Sequence, residues 1–359
     1  MLVLLLLGLL PLCMSCGEEI TVGTWNAMRQ PWLPEWEDQV NKNVAQKDID
    51  VLHLVEIWTD EEALKILARK DVAALYPYHY RAQKRNTETC GCGNNPYFTT
   101  LGTEFLNCLI RTGTNPREII QPSNGRIADE CFTFGVQMVL LNPANTTDGF
   151  LCLACIINSA QKYVPGQFGV SEIIAQCNAG KGPLYAYGGE SGHLILSKCP
   201  LEDVQEEPAY AWLSNRVNIY ATFQGVTIGF GHFAYNFIED INPLYASLMF
   251  GQTQVQQATQ MILRDPDLIV GDLNTGSNYQ PAGYNLLMQH YDTTFSTETD
   301  TYCPSNRGSF KMCIGAAPQA IDHILVRKCS GVQYELAKLF NTKLISDHVG
   351  VKAVVYAEE

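Results

Sequence analysis

Basic side chains are scarce in this sequence. Twenty-four lysines and arginines face 37 aspartates and glutamates, giving a net charge of −13. That balance disfavours a broad basic face built to embrace nucleic acid, while leaving room for a local one. Beyond the first residues, no apolar run approaches the roughly twenty residues of a membrane-spanning helix, so a soluble mature chain is expected. The sequence has no internal repeat and no low-complexity tract. Matched zinc-ligand pairs are missing too. Cys152-Leu153-Ala154-Cys155 has zinc-knuckle spacing, but without a His/Cys partner pair disulfides explain it better.

What is present begins with a leader. Residues 1–15 open on Leu2-Val3-Leu4-Leu5-Leu6-Leu7 and end in Cys13-Met14-Ser15. The apolar part is too short to span a bilayer and reads as a cleaved secretory signal, cut after Ser15 or Gly17. Thirteen cysteines suit an oxidising compartment. Eleven remain once Cys13 and Cys16 are removed, so one thiol is left odd. Asn145-Thr146-Thr147 is a glycosylation acceptor and fits the same route. A secreted or secretory-lumen protein is expected.

A strand–helix rhythm follows. Ile20 to Asn26 alternates like a strand, and 35–47 has helical spacing with Trp36, Val40 and Val44 on one side. Val51 to Glu56 reads as a buried strand ending in a carboxylate. Glu61 to Arg69 reads as a helix with Leu64, Ile66 and Leu67 as its apolar positions, and Tyr76 to Tyr80 as an extended piece. The rhythm breaks between about 86 and 185, where Cys90, Cys92, Cys108, Cys131, Cys152, Cys155 and Cys177 concentrate. This segment is expected to be a disulfide-stapled insertion in one domain spanning 16–359. Its core would be Gly149 to Ile157, a run that could alternatively offer a peripheral membrane-docking face. The rhythm returns with strands at His193–Ser197, Val217–Phe223 and Val226–His232, and a helix over 252–263. Strands opening at Leu268, over Ile321–Val326 and over Val349–Val355 complete it. An α/β sandwich is expected.

Six polar clusters each sit where an expected strand meets a loop: Asn26, Glu56, His232, Asp272 with Asn274, Asp322, and Asp347 with His348. Side chains two apart on a strand share a face, so Asp272 and Asn274 would face one cleft. A turn-capping Asp/Asn pair would show the same pattern. Glu56 and Asp347 are hard oxygen donors suited to Mg²⁺, and Asn26 and Asn274 can bond phosphate without adding repulsion. His232 and His348 titrate near neutrality. Each could be held protonated by a carboxylate, Asp322 serving His348. His53 and His193, within strands, read as structural, and the tryptophans as core or cleft wall.

Thr24-Trp25-Asn26, Val55-Glu56, Gly192-His193, Gly231-His232, Gly271-Asp272-Leu273-Asn274, Ile321-Asp322-His323-Ile324 and Ser346-Asp347-His348 occur in this order. The chain thereby resembles the endonuclease/exonuclease/phosphatase superfamily over all but the insertion. The resemblance implies a four-layer α/β/β/α sandwich, DNase I-like, and Mg²⁺-dependent phosphoester hydrolysis, with Mn²⁺ or Ca²⁺ as alternatives. It implies Glu56 as principal metal ligand, with Asn26 and Asp347 helping. Asp272 and Asn274 would orient water and phosphate, His232 and His348 would act on the transition state or in proton transfer, and Asp322 would support His348. Asn26 and Arg216 would meet the substrate.

Glu56-Ile57-Trp58 with Tyr76-Pro77 resembles the neutral sphingomyelinases, which favours a phospholipid head group such as sphingomyelin. Leu213-Ser214-Asn215-Arg216 is similar to stretches in both secreted sphingomyelinases and pancreatic-type deoxyribonucleases, so a secreted nuclease is the alternative. Glu190 could match the glutamate that supports a histidine in those nucleases. Gln319-Ala320-Ile321-Asp322-His323 departs from the inositol-phosphatase pattern. A non-catalytic binding module is a third reading. No obligate protein partner is implied.

Overall fold

A computed structural model describes residues 19–27, 36–45, 48–83, 85–113, 116, 129–142, 146–209, 211, 213–234, 254–293, 300–303, 318–328, 333–339 and 346–356. The expected leader, Cys13, Cys16, Asn145, Trp32 and Trp212 lie outside the described residues.

Two six-stranded sheets are stacked face to face. The first runs β13 (Gln333–Leu339), β14 (Gly350–Tyr356), β1 (Glu19–Asn26), β2 (Val51–Val55), β6 (Leu194–Ser197), β3 (Tyr78–Arg81). The second runs β11 (Tyr291–Asp292), β12 (Asp322–Arg327), β10 (Leu268–Asp272), β9 (Val226–His232), β8 (Arg216–Phe223), β7 (Glu202–Ala209). Their central strands are apolar on both faces, as expected of strands covered from both sides. Val22, Val51, Ile195, Val351 of one sheet meet Ile219, Phe230, Val270 and Ile324 of the other in the shared interior.

The alternate residues of the same strands point outward under helices. Leu52, Leu54, Leu194 and Leu196 pack beneath α1 (Trp36–Val44), α2 (Asp60–Leu67) and α3 (Lys70–Leu75). Ile269 and Leu325 pack beneath two later helices, Gln254–Arg264 and Pro281–His290. The result is the expected four-layer α/β/β/α sandwich. In α1, Trp36, Val40 and Val44 are buried as their spacing required. Leu64 of α2 is not: it is 63% exposed, and Ala63 and Ile66 face the sheet instead.

The cysteine-rich segment folds into helices α4 (Pro96–Arg111), α5 (Asp129–Leu140), α6 (Thr146–Ala160) and α7 (Val170–Asn178) around a separate core. Its ends meet in a short ladder of β4 (Thr89–Cys90) and β5 (Gly182–Pro183). Disulfides Cys92–Cys152, Cys108–Cys131 and Cys155–Cys177 staple it, and Cys199 and Cys303 are also disulfide-bonded. Cys90 is the free thiol among the described residues. Phe150, Leu153, Ile156 and Ile157 are fully buried among these helices, so the run from Gly149 to Ile157 is core and offers no face to a membrane. Among the described residues, no helix is long and apolar enough to cross one. Among the described residues the remaining α-helices are α8 (Gln254–Arg264) and α9 (Pro281–His290).

The topology also fixes where polar groups gather. β1 runs parallel to β2, and β9 parallel to β10, so Asn26, the residue after Val55, His232 and Asp272 all emerge at carboxyl ends. β12 and β14 are antiparallel to their neighbours, so Asp322 and the residues before Gly350 arrive at that same end from their amino termini. Gly271 is required here: its φ is +151, and a Cβ would lie 1.8 Å from the Gly231 carbonyl oxygen. Gly271→Ala is expected to lower the unfolding free energy by about 2–4 kcal/mol, read by urea denaturation.

Candidate active site

Register places three of the expected residues side by side, because Asp272 pairs across the sheet with both His232 and Asp322. Asn26 reaches them from the other sheet. Its side-chain nitrogen donates to Asp272 Oδ2 at 2.9 Å and to Glu56 Oε1 at 3.2 Å, and lies 3.4 Å from His348 Nε2. One carboxamide thus spans the seam between the sheets. Glu56 has a left-handed backbone, φ +63, a strained conformation that surrounding contacts must hold. Ile57 N donates to the Gly192 carbonyl at 3.0 Å. Thr59 and Glu62 form a reciprocal cap on α2, and Arg81 donates to the Ile57 and His193 carbonyls.

His348 and Asp322 form a dyad, Nδ1 to Oδ2, at 2.7 Å. The structure thus brings together Asp322 and His348, the two residues named as partners from the sequence. His348 Nε2 then faces Asp347 Oδ1 at 3.8 Å and Asp272 Oδ2 at 3.9 Å. Burial works against its charge, but Asp322 and Asp347 outweigh it and push its pKa to about 10. Burial raises Asp272, helped by the charge of Asp322, and raises Asp347 to about 6. Ser346 Oγ donates to the Asn26 carbonyl at 2.7 Å and accepts from His348 N at 3.0 Å, locking this loop to β1.

Four expectations change. Asp272 ends its strand and Asn274 lies beyond it with φ +47, so the two do not share a strand face. Instead Asn274 N donates to Asp272 Oδ1 at 3.0 Å, and its side-chain nitrogen donates to the Phe233 carbonyl at 3.0 Å. That is the turn-capping arrangement, and it orients Asp272. His232 is not held protonated by a carboxylate: burial, then the charge of Arg216, drives its pKa well below the ordinary value. Arg216 is buried and its Nη1 lies 2.7 Å from His232 Nδ1, so it stands behind the histidine rather than at the cleft. Glu190 pairs with Arg85 at 2.6 Å and Arg81 at 3.5 Å, and so does not support His232.

His53 and His193 are buried, His53 Nε2 lying 2.8 Å from His193 Nδ1, in keeping with a structural role. Several supporting residues carry no motif. Gln254 bonds the Ala234 and Asn274 carbonyls. Thr301 Oγ1 accepts from Ile321 N and Asp322 N at 3.1 and 3.0 Å. Isolated polar residues in helices and loops give no pattern that would single them out.

A divalent cation suits this donor set. Asp347 Oδ1 is buried without a hydrogen-bond partner, a costly state that a cation would relieve. Glu56, whose charge also acts on Asp347, is half-buried rather than sealed. Asp272, Asp322 and His348 also bring one possible ligand atom each within 4.8 Å, but there His348 Nδ1 is already engaged by Asp322. Hard oxygens match a hard ion.

The sign of the dyad's contribution to stability follows from its raised pKa. A histidine shifted from 6.5 to about 10 stabilises the fold fully below pH 6.5 and loses that share as pH rises through 10. Thermal unfolding in chelator is expected to separate wild type from His348→Gln more at pH 6 than at pH 10.

No protein-family model and no curated protein matches the sequence. Solved structures do. The structure of D. rerio TDP2 complexed with single-strand DNA product has a TM-score of 0.50 at 11% identity, covering 95% of this chain and 100% of that one. Beta toxin from Staphylococcus aureus with bound magnesium ions has a TM-score of 0.49 at 13% identity, covering 95% and 100%. An endonuclease/exonuclease/phosphatase family protein from Leptotrichia buccalis has 0.42 at 12%, covering 94% and 99%. With its two facing sheets and outer helices, the chain has the DNase I-like fold, shared with the D. rerio TDP2 structure.

Proposed function

We propose that this chain is a secreted Mg²⁺-dependent phosphodiesterase acting on a phospholipid head group, sphingomyelin being the first candidate. The observation that carries the reading is the convergence of Asn26 and Glu56 from one sheet with Asp272 and the His348–Asp322 dyad from the other. Disulfides among the described residues support an extracellular or secretory setting.

In this reading Glu56 and Asp347, with Asn26, hold the ion. When bound it supplies charge to neutralise the phosphoryl oxygens. Asp272, its carboxylate made more basic by burial, accepts a hydrogen bond from the attacking water and takes its proton as the new P–O bond forms. Asn274 N and Asn26 hold that carboxylate in place. His348, oriented by Asp322, presents a protonated Nε2 and gives that proton to the leaving oxygen as the old P–O bond breaks. His232 Nε2, 3.7 Å from Asp272 Oδ2, stands beside the same reacting centre.

The acidic balance, 24 basic against 37 acidic residues, supports a small head group over a long polyanion. The Glu56-Ile57-Trp58 run supports the same choice. The nuclease alternative is favoured by the D. rerio TDP2 structure, whose fold is shared and which holds a single-strand DNA product.

Purified protein is offered sphingomyelin vesicles and plasmid DNA with Mg²⁺. Phosphocholine release without nicking is expected, and nicking without phosphocholine would transfer the assignment to the nuclease. Glu56→Ala and His348→Ala are each expected to lower kcat/KM by about 10²–10⁴ with the circular dichroism unchanged. Turnover retained by either variant would refute the roles given to them. Chelation should abolish activity and Mg²⁺ restore it.

A further inference from the structure

Arg216 and His232 are both buried, 6% and 1% exposed, and the guanidinium Nη1 lies 2.7 Å from the imidazole Nδ1. A guanidinium carries donors and no acceptor. At that distance Nδ1 must offer a lone pair, which leaves the ring proton on Nε2, the nitrogen nearer Asp272. An imidazolium, with N–H on both nitrogens, would set donor against donor. The carboxylate that could have held such a cation, Glu190, is committed to Arg81 and Arg85.

The arginine is itself braced. Its guanidinium lies over the Trp58 ring at 5.5 Å, and Trp58 stacks on Tyr187 at 4.5 Å. The side chain of the preceding residue, Asn215, donates to the Gly189 carbonyl at 2.7 Å. On its other side His232 faces the ring of His193 at 6.2 Å, which burial keeps neutral.

We propose that Arg216 is a positioning residue that fixes His232 as the neutral, Nε2-protonated tautomer, so that His232 donates a hydrogen bond to a phosphoryl oxygen and transfers no proton. The site then contains one proton-transferring dyad, His348–Asp322, and one fixed donor. The part played in turnover rests on the phosphodiesterase reading, whereas the tautomer rests on the Arg216–His232 contact alone.

The test is nitrogen NMR on the full chain labelled with ¹⁵N-histidine, His232 being assigned by the signal lost in His232→Asn. Wild type is expected to show His232 with Nδ1 unprotonated and Nε2 protonated, with and without Mg²⁺. Arg216→Met is expected to release that single tautomer and lower kcat about 10²-fold with KM within about threefold. Arg216→Lys, which keeps a donor, should restore the tautomer and much of the rate. A wild-type His232 carrying its proton on Nδ1, or on both nitrogens, would overturn the proposal. So would Arg216→Met with tautomer and kcat unchanged. If Arg216→Met fails to fold, the wild-type spectrum and the Lys variant decide. The expected tautomer in a protein that cleaves no phosphodiester would defeat the functional reading and leave the Arg216 assignment standing.

Discussion

Glu56, Asp272, Asp322 and Asp347 converge where the two sheets meet, and the side chains of the last three are almost wholly buried. Burying that much like charge is costly unless it is paired or bonded. Two groups carry most of the compensation: the Asn26 carboxamide, which bonds carboxylates of both sheets, and the His348 imidazolium in its cage of aspartates. What they leave unsatisfied, above all Asp347 Oδ1, makes a cation the natural complement of the site. The sandwich serves this arrangement. Parallel pairs β1–β2 and β9–β10 send their carboxyl ends to the same edge, and the antiparallel strands return Asp322 and Asp347 to it.

The two histidines of the site are driven in opposite directions by the same burial. His348 has a carboxylate on Nδ1 and is held charged, while His232 has a guanidinium there and is held neutral. Identical side chains thereby acquire different chemistry from their neighbours. That difference is what a single cleft needs if it is both to transfer a proton and to supply a fixed hydrogen bond.

Much of the layer structure was legible because strands buried on two faces read as continuous apolar runs, as Val51 to Val55 and Leu268 to Val270 do. The site residues were legible because polar groups at the ends of such runs are unusual. Contacts between elements were not. Nothing local in Arg216 tells that it sits behind His232, since that depends on β8, on β9 and on Trp58 from the loop that follows β2. The pairing of Asp272 with Asn274 was misjudged where strand periodicity was extended past the strand's last residue. Leu64 was misplaced because three apolar residues in α2 cannot all face one sheet. The helices of the cysteine-rich segment were not legible because they pack on one another rather than beneath a sheet, Phe98, Phe105, Phe150 and Ile156 building a core of their own.

The central claim is that the Glu56–Asp347 end of this cluster is a divalent-cation site completed by Asn26. Calorimetric titration of the metal-free full chain with Mg²⁺ tests it most directly. One saturable site is predicted in the wild type, weakened at least about tenfold by Glu56→Gln and by Asp347→Asn. Equal Mg²⁺ affinity in wild type and both variants would contradict the account.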